Sequence, residues 1–130
     1  MKSSSSAAAA FAFATAAAFP AFAETHALDG RRFEGVFIER GKTSGDADTL
    51  VFKDGRFRSL ACDRYGYSDA VYRTASAGDS MRFEAETESP KYGKLRWSGV
   101  VRGGKLDATA TMVQSGKSNV ENWVVAAEKN

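Results

Sequence analysis

The feature that most constrains this chain is a hydrophobic period of two, which persists from residue 32 almost to the C-terminus. It is clearest in residues 81–86, 95–101 and 106–112, where apolar or small side chains alternate with mostly charged or hydroxyl ones. Successive side chains of a strand point to opposite faces of a sheet, so this pattern is typical of half-buried β-strands. No segment after residue 23 keeps a helical stripe for three turns, and we therefore predict an all-β fold.

A less regular alternation in other segments brings the number of predicted strands to eight. These further segments are residues 32–39, 49–52, 56–61, 70–74 and 120–127. Glycine marks the tight turns between strands, at Asp54-Gly55 and at Gly103-Gly104. Short connections between successive strands favour an antiparallel meander. We therefore predict an eight-stranded up-and-down barrel, which leaves no open sheet edge, with a flattened β-sandwich as the alternative.

The predicted inward face combines bulky aromatic side chains with small residues of the same phase. The aromatic residues are Phe33, Phe37, Phe52, Phe57, Phe83, Trp97 and Trp123, and the small ones are Gly35, Ala85, Gly99, Ala108 and Ala110. Two interpretations stay open. The small residues either make room for bulky neighbours in a filled core, or they leave a cavity at the barrel mouth for a small apolar or aromatic ligand. An eight-stranded barrel has a size at which both outcomes occur.

The segment before Glu24 predicts export. It carries one basic residue and no acidic one, contains a stretch rich in alanine and phenylalanine, and ends in Ala21-Phe22-Ala23, a small-x-small cleavage pattern. We therefore predict a signal peptide at residues 1–23 and a single domain at residues 24–130, periplasmic or secreted. The alternative is an uncleaved anchor, which alanine and Pro20 disfavour, so we expect no membrane span after cleavage.

Composition argues against several classes of function. Beyond residue 23 the chain has 17 of the 18 basic residues against 16 acidic ones, and they are scattered, which gives no footprint for nucleic acid. His26 is the only histidine and Cys62 the only cysteine, so we expect no zinc or copper site. Glu84 and Glu86 share the outer face of a predicted strand and do not suggest a covered acid–base pair. We expect no enzyme activity, no catalytic residues and no cofactor.

Cys62 is unusual because exported domains usually pair their cysteines. The simplest interpretation is a buried thiol that packs as a small hydrophobic side chain. The alternatives are an intermolecular disulfide or a thiol adduct, which Arg64 would favour because a positive neighbour stabilises the thiolate.

The longer connections of the predicted meander should meet at one end of the barrel, because odd-numbered connections share an end. Cys62, Arg64, Tyr65 and Tyr67 lie in one of these connections and Tyr92 lies in the next. Tyrosine and arginine offer flat contact area with a polar group, which suits either a ligand site or a protein surface. We therefore predict that these five residues bind a ligand. Alternatively, Tyr65 or Tyr67 folds back and plugs the barrel.

The spacing of several residues resembles that of the calycin-type barrels, especially the small lipocalin-like proteins that bacteria export. The similar segments are Leu28-Asp29-Gly30-x-x-Phe33-x-Gly35, Val51-Phe52-x-Asp54-Gly55-x-Phe57, Trp97-x-Gly99-x-Val101 and Trp123. The resemblance covers nearly all of residues 24–130, rests on architecture and loose spacing, and implies a ligand-binding barrel without assigning site residues. We expect an exported barrel for a small apolar or aromatic ligand. The alternative is a protein-interaction module, such as an inhibitor or envelope-complex subunit, that uses the long loops.

Overall fold

The computed structural model describes residues 21–130, so most of the predicted signal peptide lies outside the described residues. The described part contains nine strands and a short 3₁₀ helix between the fourth and fifth strands. They are β1 (Ala23–Glu24), β2 (Arg32–Glu39), β3 (Asp46–Lys53), β4 (Arg56–Ser59), the 3₁₀ helix (Leu60–Tyr65), β5 (Ala70–Ala77), β6 (Ser80–Ser89), β7 (Gly93–Arg102), β8 (Lys105–Val113) and β9 (Val120–Lys129). In this part of the chain no helix has the length and hydropathy that a membrane crossing requires.

Strands β2 to β9 form a closed antiparallel meander. Each strand pairs with the next, and β2 pairs with β9 from Arg32 opposite Lys129 to Glu39 opposite Asn122, which closes the sheet on itself. The predicted all-β fold and eight-stranded up-and-down barrel are therefore confirmed, and the flattened sandwich is not formed. β1 is an addition outside this meander and pairs with two residues of β5.

One predicted strand is too long at its C-terminal end. The alternation continues to Ala61, but β4 ends at Ser59 and the chain enters the 3₁₀ helix. The cause lies in Asp48 on β3, which is buried. Its carboxylate accepts hydrogen bonds from the Ser59 hydroxyl (2.7 Å) and the Ala61 backbone N–H (3.0 Å). The second bond engages the Ala61 backbone N–H, which is then not free to pair with a neighbouring strand.

Aromatic side chains fill the barrel interior beneath one end. The Phe52 ring lies 5.3 Å from the Phe57 ring, 4.9 Å from the Tyr72 ring and 5.2 Å from the Phe83 ring, measured between centroids. A Cβ atom on Gly99 would lie 2.6 Å from Phe83, so the glycine makes room for this ring. In this region the filled-core interpretation is therefore correct.

Trp123 does not belong to this core, and its predicted inward orientation is wrong. It is 39% exposed on the outer wall, while Asn122, Val124 and Ala126 are the buried residues of β9. In β9 the residue that faces the interior is the polar Asn122. Trp123 is the next residue along the strand and therefore faces outward. The barrel thereby gains a buried amide near one end.

The two ends of the barrel differ, and we call them the base and the mouth. The base carries the two-residue connections 54–55, 78–79 and 103–104, and the mouth carries the connections 40–45, 60–69, 90–92 and 114–119. The segment before β2 closes the base, where Leu28 is only 1% exposed. Its backbone N–H donates to the Tyr72 hydroxyl (2.9 Å), and Arg31 forms two hydrogen bonds to Glu128 (2.9 and 2.7 Å). The segment before β2 therefore covers the barrel interior at the base.

Candidate functional site

A cavity of about 300 Å³ opens at the mouth of the barrel. All five residues singled out from the sequence line it, namely Cys62, Arg64, Tyr65, Tyr67 and Tyr92. The structure therefore brings together side chains from two different connections, as the alternation of connections in a meander requires. The cavity lies at the mouth, as the second interpretation expected, but the small inward residues do not create it, because none of Gly35, Ala85, Gly99, Ala108 and Ala110 lines it.

Four inward strand residues that could not be identified as site residues from the sequence also line the cavity. Phe37 of β2, Leu95 of β7, Met112 of β8 and Asn122 of β9 all line it. The first three are apolar, and the alternation of their strands predicts an inward position for them without distinguishing the cavity wall from the core. Asn122 gave the clearest available signal, since it is a lone amide at an inward position of an otherwise hydrophobic strand.

The 3₁₀ helix covers part of the mouth because two local features hold it. Arg58 binds Asp63 through two hydrogen bonds (3.0 and 2.6 Å), which fixes the turn over the end of β4. Gly66 then ends the helix in the left-handed region, at φ 84°, and its N–H donates to the Asp63 carbonyl (2.9 Å). A side chain at this φ would be strained. The reversal sends the next residue, Tyr67, into the barrel.

The 3₁₀ helix is tied to the β6–β7 connection by Ser89. The Ser89 hydroxyl donates to the Tyr65 carbonyl (2.7 Å) and accepts from the Tyr92 backbone N–H (3.2 Å). The rings of Tyr65 and Tyr92 meet edge to face, with 5.9 Å between centroids. Arg64 lies over the Tyr65 ring and Lys91 over the Tyr92 ring, each 5.3 Å from the centroid. These four side chains, which we call the aromatic rim, form one edge of the mouth.

The two tyrosines of the 3₁₀ connection take opposite positions. Tyr65 is 45% exposed on the rim, whereas Tyr67 is 7% exposed and forms part of the cavity wall. Tyr67 therefore folds inward, as the alternative expected, but it does not plug the barrel, because an open cavity remains beside it.

The Tyr67 hydroxyl is buried and has no hydrogen-bond partner among residues 21–130. Burial raises the pKa of this phenol, and the neighbouring Cys62 and Tyr92 side chains raise it further. The group is therefore a neutral O–H at physiological pH. An unpaired buried hydroxyl costs about 1–3 kcal/mol, so a ligand that supplied a partner would recover part of that cost.

The Asn122 amide is the second buried polar group of the cavity wall. It is 2% exposed, and its Nδ2 donates to the Ala110 carbonyl (3.1 Å) on β8. This bond fixes the orientation of the amide beside the cavity. A positioned amide among apolar side chains is typical of sites that orient a small molecule.

The Cys62 thiol is buried, 7% exposed, and unpaired with any other cysteine. Burial raises its pKa to about 11, and the nearby carboxylates of Asp48 and Asp63 add to this against an opposing hydrogen bond from Ser59. The thiolate is the reactive form of cysteine, and it is scarce at such a pKa. Cys62 therefore acts as a small side chain of the cavity wall, and the structure argues against an adduct or an intermolecular disulfide.

Metal-ligating side chains do not gather at the mouth in the structure described. Across residues 21–130 no three His, Cys, Asp or Glu side chains lie close enough to share an ion. His26 lies at the base, where its Nδ1 is 2.7 Å from Asp29, and so it is far from the cavity wall formed by Cys62. The Asp48 carboxylate is already engaged by Ser59 and Ala61.

No protein-family model matches the chain, and neither curated proteins nor solved structures give a significant match. The closed eight-stranded barrel is compatible with a lipocalin-like fold. The chemistry of the cavity at the mouth is therefore given by the residues that line it.

Proposed function

We propose that this protein is an exported, lipocalin-like barrel that binds a small apolar or aromatic molecule in the cavity at its mouth, in the periplasm or outside the cell. The observation that carries the proposal is the open cavity of about 300 Å³, walled by Phe37, Leu95 and Met112 and bordered by Tyr67, whose buried hydroxyl has no partner in residues 21–130. Small-molecule sites typically enclose roughly 300–1,000 Å³ and combine apolar walls with a few placed polar groups. The cavity has this character.

The cavity lies at the lower end of that size range and so favours a compact ligand. A molecule of roughly 10–15 non-hydrogen atoms would fill it. Ligands of this size gain between about 0.3 and 1.5 kcal/mol per atom, so micromolar affinity is a reasonable expectation. Aromatic rings suit the walls, since Phe37 and Tyr92 offer ring faces and Met112 offers a polarisable thioether.

The position of Tyr67 favours a small ligand over a protein partner. A protein-interaction module that used the long loops would require Tyr65, Tyr67 and Tyr92 to form an outward patch. Tyr67 instead points into the barrel and Tyr92 is half-buried, which leaves Tyr65 as the one exposed tyrosine of the three. An inhibitor or envelope-complex subunit remains the alternative function, with the aromatic rim as its contact surface.

Export is proposed from the sequence before Glu24, and the position of the cleavage bond is consistent with it. The bond between Ala23 and Glu24 lies within β1, the two-residue strand outside the barrel, so cleavage would remove the pairing of Ala23 with Thr74. The bond precedes the base closure, in which Leu28 and Arg31 take part, and all eight strands of the barrel. Residues 24–130 therefore retain everything that the closed barrel uses. An intact mass of the protein from the envelope or medium fraction should equal that of residues 24–130, and a mass that includes residues 1–23 would contradict export with cleavage.

Binding can be tested with mature protein and three neutral bicyclic aromatics, namely naphthalene, indole and quinoline. A molecule that binds only the folded state raises the melting temperature. We expect at least one of the three to raise it for the wild type. Ala61→Trp places an indole in the cavity wall and should abolish the shift, whereas Val125→Trp, on the outer wall where Val125 is 47% exposed, should retain it.

The proposal would be overturned if none of the three compounds stabilised the wild type at roughly millimolar concentration. Equal shifts in the wild type and in Ala61→Trp would also contradict it, because the compounds would then be bound elsewhere. A folded Ala61→Trp variant is recognised by its far-ultraviolet circular dichroism.

A further inference from the structure

We propose that the ligand is an uncharged aromatic molecule that carries a hydrogen-bond acceptor, such as an aryl ketone, and that the Tyr67 hydroxyl donates to that acceptor inside the cavity. This inference rests on the proposed function, because it names the chemical class of the ligand for the same site. It is carried by the pairing of polar groups and by the distribution of charge around the cavity.

Among the buried side-chain nitrogen and oxygen atoms of the cavity wall in residues 21–130, the Tyr67 hydroxyl is the one without a hydrogen-bond partner. The Asn122 amide, in contrast, donates to the Ala110 carbonyl. Tyr67 is more than nine-tenths buried, lines the cavity, and has a hydroxyl without a partner in residues 21–130. A buried hydroxyl is normally paired, so its natural partner is a group of the ligand.

The Tyr67 hydroxyl should act as a donor in that pairing. Burial raises the pKa of the phenol, so the proton stays in place at physiological pH. The O–H has no acceptor within the protein described, and its oxygen has almost no accessible surface. A carbonyl oxygen of the ligand would therefore satisfy it once the cavity wall moves enough to admit that oxygen. A ligand without an acceptor would leave the hydroxyl unpaired and bind more weakly.

The charges at the mouth favour a neutral ligand over an ionic one. Arg64 lines the cavity, but its guanidinium lies over the Tyr65 ring, and the carboxylates of Glu39 and Asp46 line the same opening. The deeper lining contains a phenol, a thiol and an amide, none of which compensates a full charge. Burial of an unpaired ion is expensive, so a carboxylate or an ammonium group should be rejected from the inner cavity.

The aromatic character of the ligand follows from the remaining wall. Phe37 and Tyr92 present rings to the cavity, and Met112 contributes a sulfur atom that contacts aromatic edges favourably. Together with Leu95 they give the cavity wall, to which Tyr67 also belongs, a largely apolar character. A flat ring system with one carbonyl substituent matches both parts of this lining.

The test compares two probes of the same shape, 2-acetylnaphthalene and 2-isopropenylnaphthalene, which differ in that a carbonyl oxygen replaces a methylene group. Titration of the mature protein with each should give a dissociation constant about tenfold lower for the ketone, as expected for one hydrogen bond to a buried donor. A third probe, 2-naphthoate, should bind more weakly than the ketone because it carries a charge.

Tyr67→Phe removes only the hydroxyl oxygen and should bind the two neutral probes equally. Since the hydroxyl has no partner among residues 21–130, this variant loses no internal hydrogen bond and should melt at or above the wild-type temperature. Tyr65→Phe is the matched control, because it removes a phenol oxygen from the exposed rim and should keep the tenfold preference.

Three outcomes would overturn the inference and separate it from the proposed function. Equal affinity of the wild type for ketone and alkene, a preference that survives in Tyr67→Phe, or tighter binding of 2-naphthoate would disprove the assigned ligand class while leaving a ligand-binding barrel in place. If none of the three probes binds, then the proposed function fails together with the inference.

Discussion

The hydroxyl of Tyr72 donates a 2.8 Å hydrogen bond to the carboxylate of Asp29, at the opposite end of the barrel from the cavity. The same hydroxyl accepts from the Leu28 backbone N–H (2.9 Å), and Asp29 also accepts from the Gly55 N–H (3.0 Å). One phenol and one carboxylate thus attach the segment before β2 to both β5 and the β3–β4 turn. This closure is what leaves the mouth as the accessible end.

We expect Tyr72→Phe to destabilise the protein. The substitution keeps the ring that packs against Phe52 but leaves the buried Leu28 N–H without its acceptor, which costs about 1–3 kcal/mol. Chemical denaturation would show the loss as a lower midpoint with an unchanged slope. Tyr65→Phe is the control and should unfold like the wild type, and equal midpoints for both variants would show that the base closure contributes little.

Asp29→Asn should destabilise the protein in a pH-dependent manner. Burial alone would raise the pKa of Asp29, but hydrogen bonds from His26, Tyr72 and Gly55 outweigh it and hold the pKa below its ordinary value. A carboxyl with a lowered folded-state pKa stabilises the fold above its unfolded pKa, and this contribution is lost as the pH falls through the folded pKa. The wild type should therefore be more stable than the variant at neutral pH, and the difference should shrink in acid.

Thermal unfolding between neutral pH and roughly pH 3 checks this expectation. Asp79→Asn is the matched control, since Asp79 lies in another turn at the base and its side chain is 83% exposed. A gap between wild type and Asp29→Asn that stayed constant, or widened, on acidification would contradict the assignment of the Asp29 carboxylate as a charged stabilising group.

Cys62 should react slowly with iodoacetamide in the folded protein. Its pKa is raised to about 11, mainly by burial, so the thiolate fraction near pH 8 is lower than in the unfolded chain by on the order of 100-fold. We expect alkylation, followed by mass spectrometry, to accelerate strongly in denaturant and to rise with pH in the native state. Native alkylation as fast as that of the unfolded chain would restore a thiol-dependent function as a candidate.

Gly99→Ala should destabilise the barrel by overpacking its core. The added methyl carbon would lie 2.6 Å from a ring carbon of Phe83 and 2.8 Å from the Cβ of Ala108. Overpacking of this kind typically costs about 1–3 kcal/mol. Gly104→Ala is the control, because its Cβ would meet only the Glu128 side chain at 3.8 Å. If both variants melted at the same temperature, the core would be looser than the contacts indicate.

The strands could be predicted from the sequence because the alternation is a local property. Residues 81–86, for example, lie within β6 (Ser80–Ser89). Phe83 and Ala85 are buried there, and the charged residues between and beside them lie on the outer face, as the alternation predicted. The clustering of Cys62 and Tyr92 at one end also followed from the sequence, since it needs only the parity of connections in a meander.

The sequence by itself thus determined an all-β chain, the eight strands of its barrel, and the end at which Tyr65, Tyr67 and Tyr92 gather. The tertiary structure decided that β4 stops at Ser59, that Asn122 and not Trp123 faces inward, and that Tyr67 enters the barrel while Tyr65 stays outside. The physical reason is that alternation relates residues two positions apart on one strand. A cavity instead depends on contacts between side chains that are distant in sequence and meet only when the barrel closes.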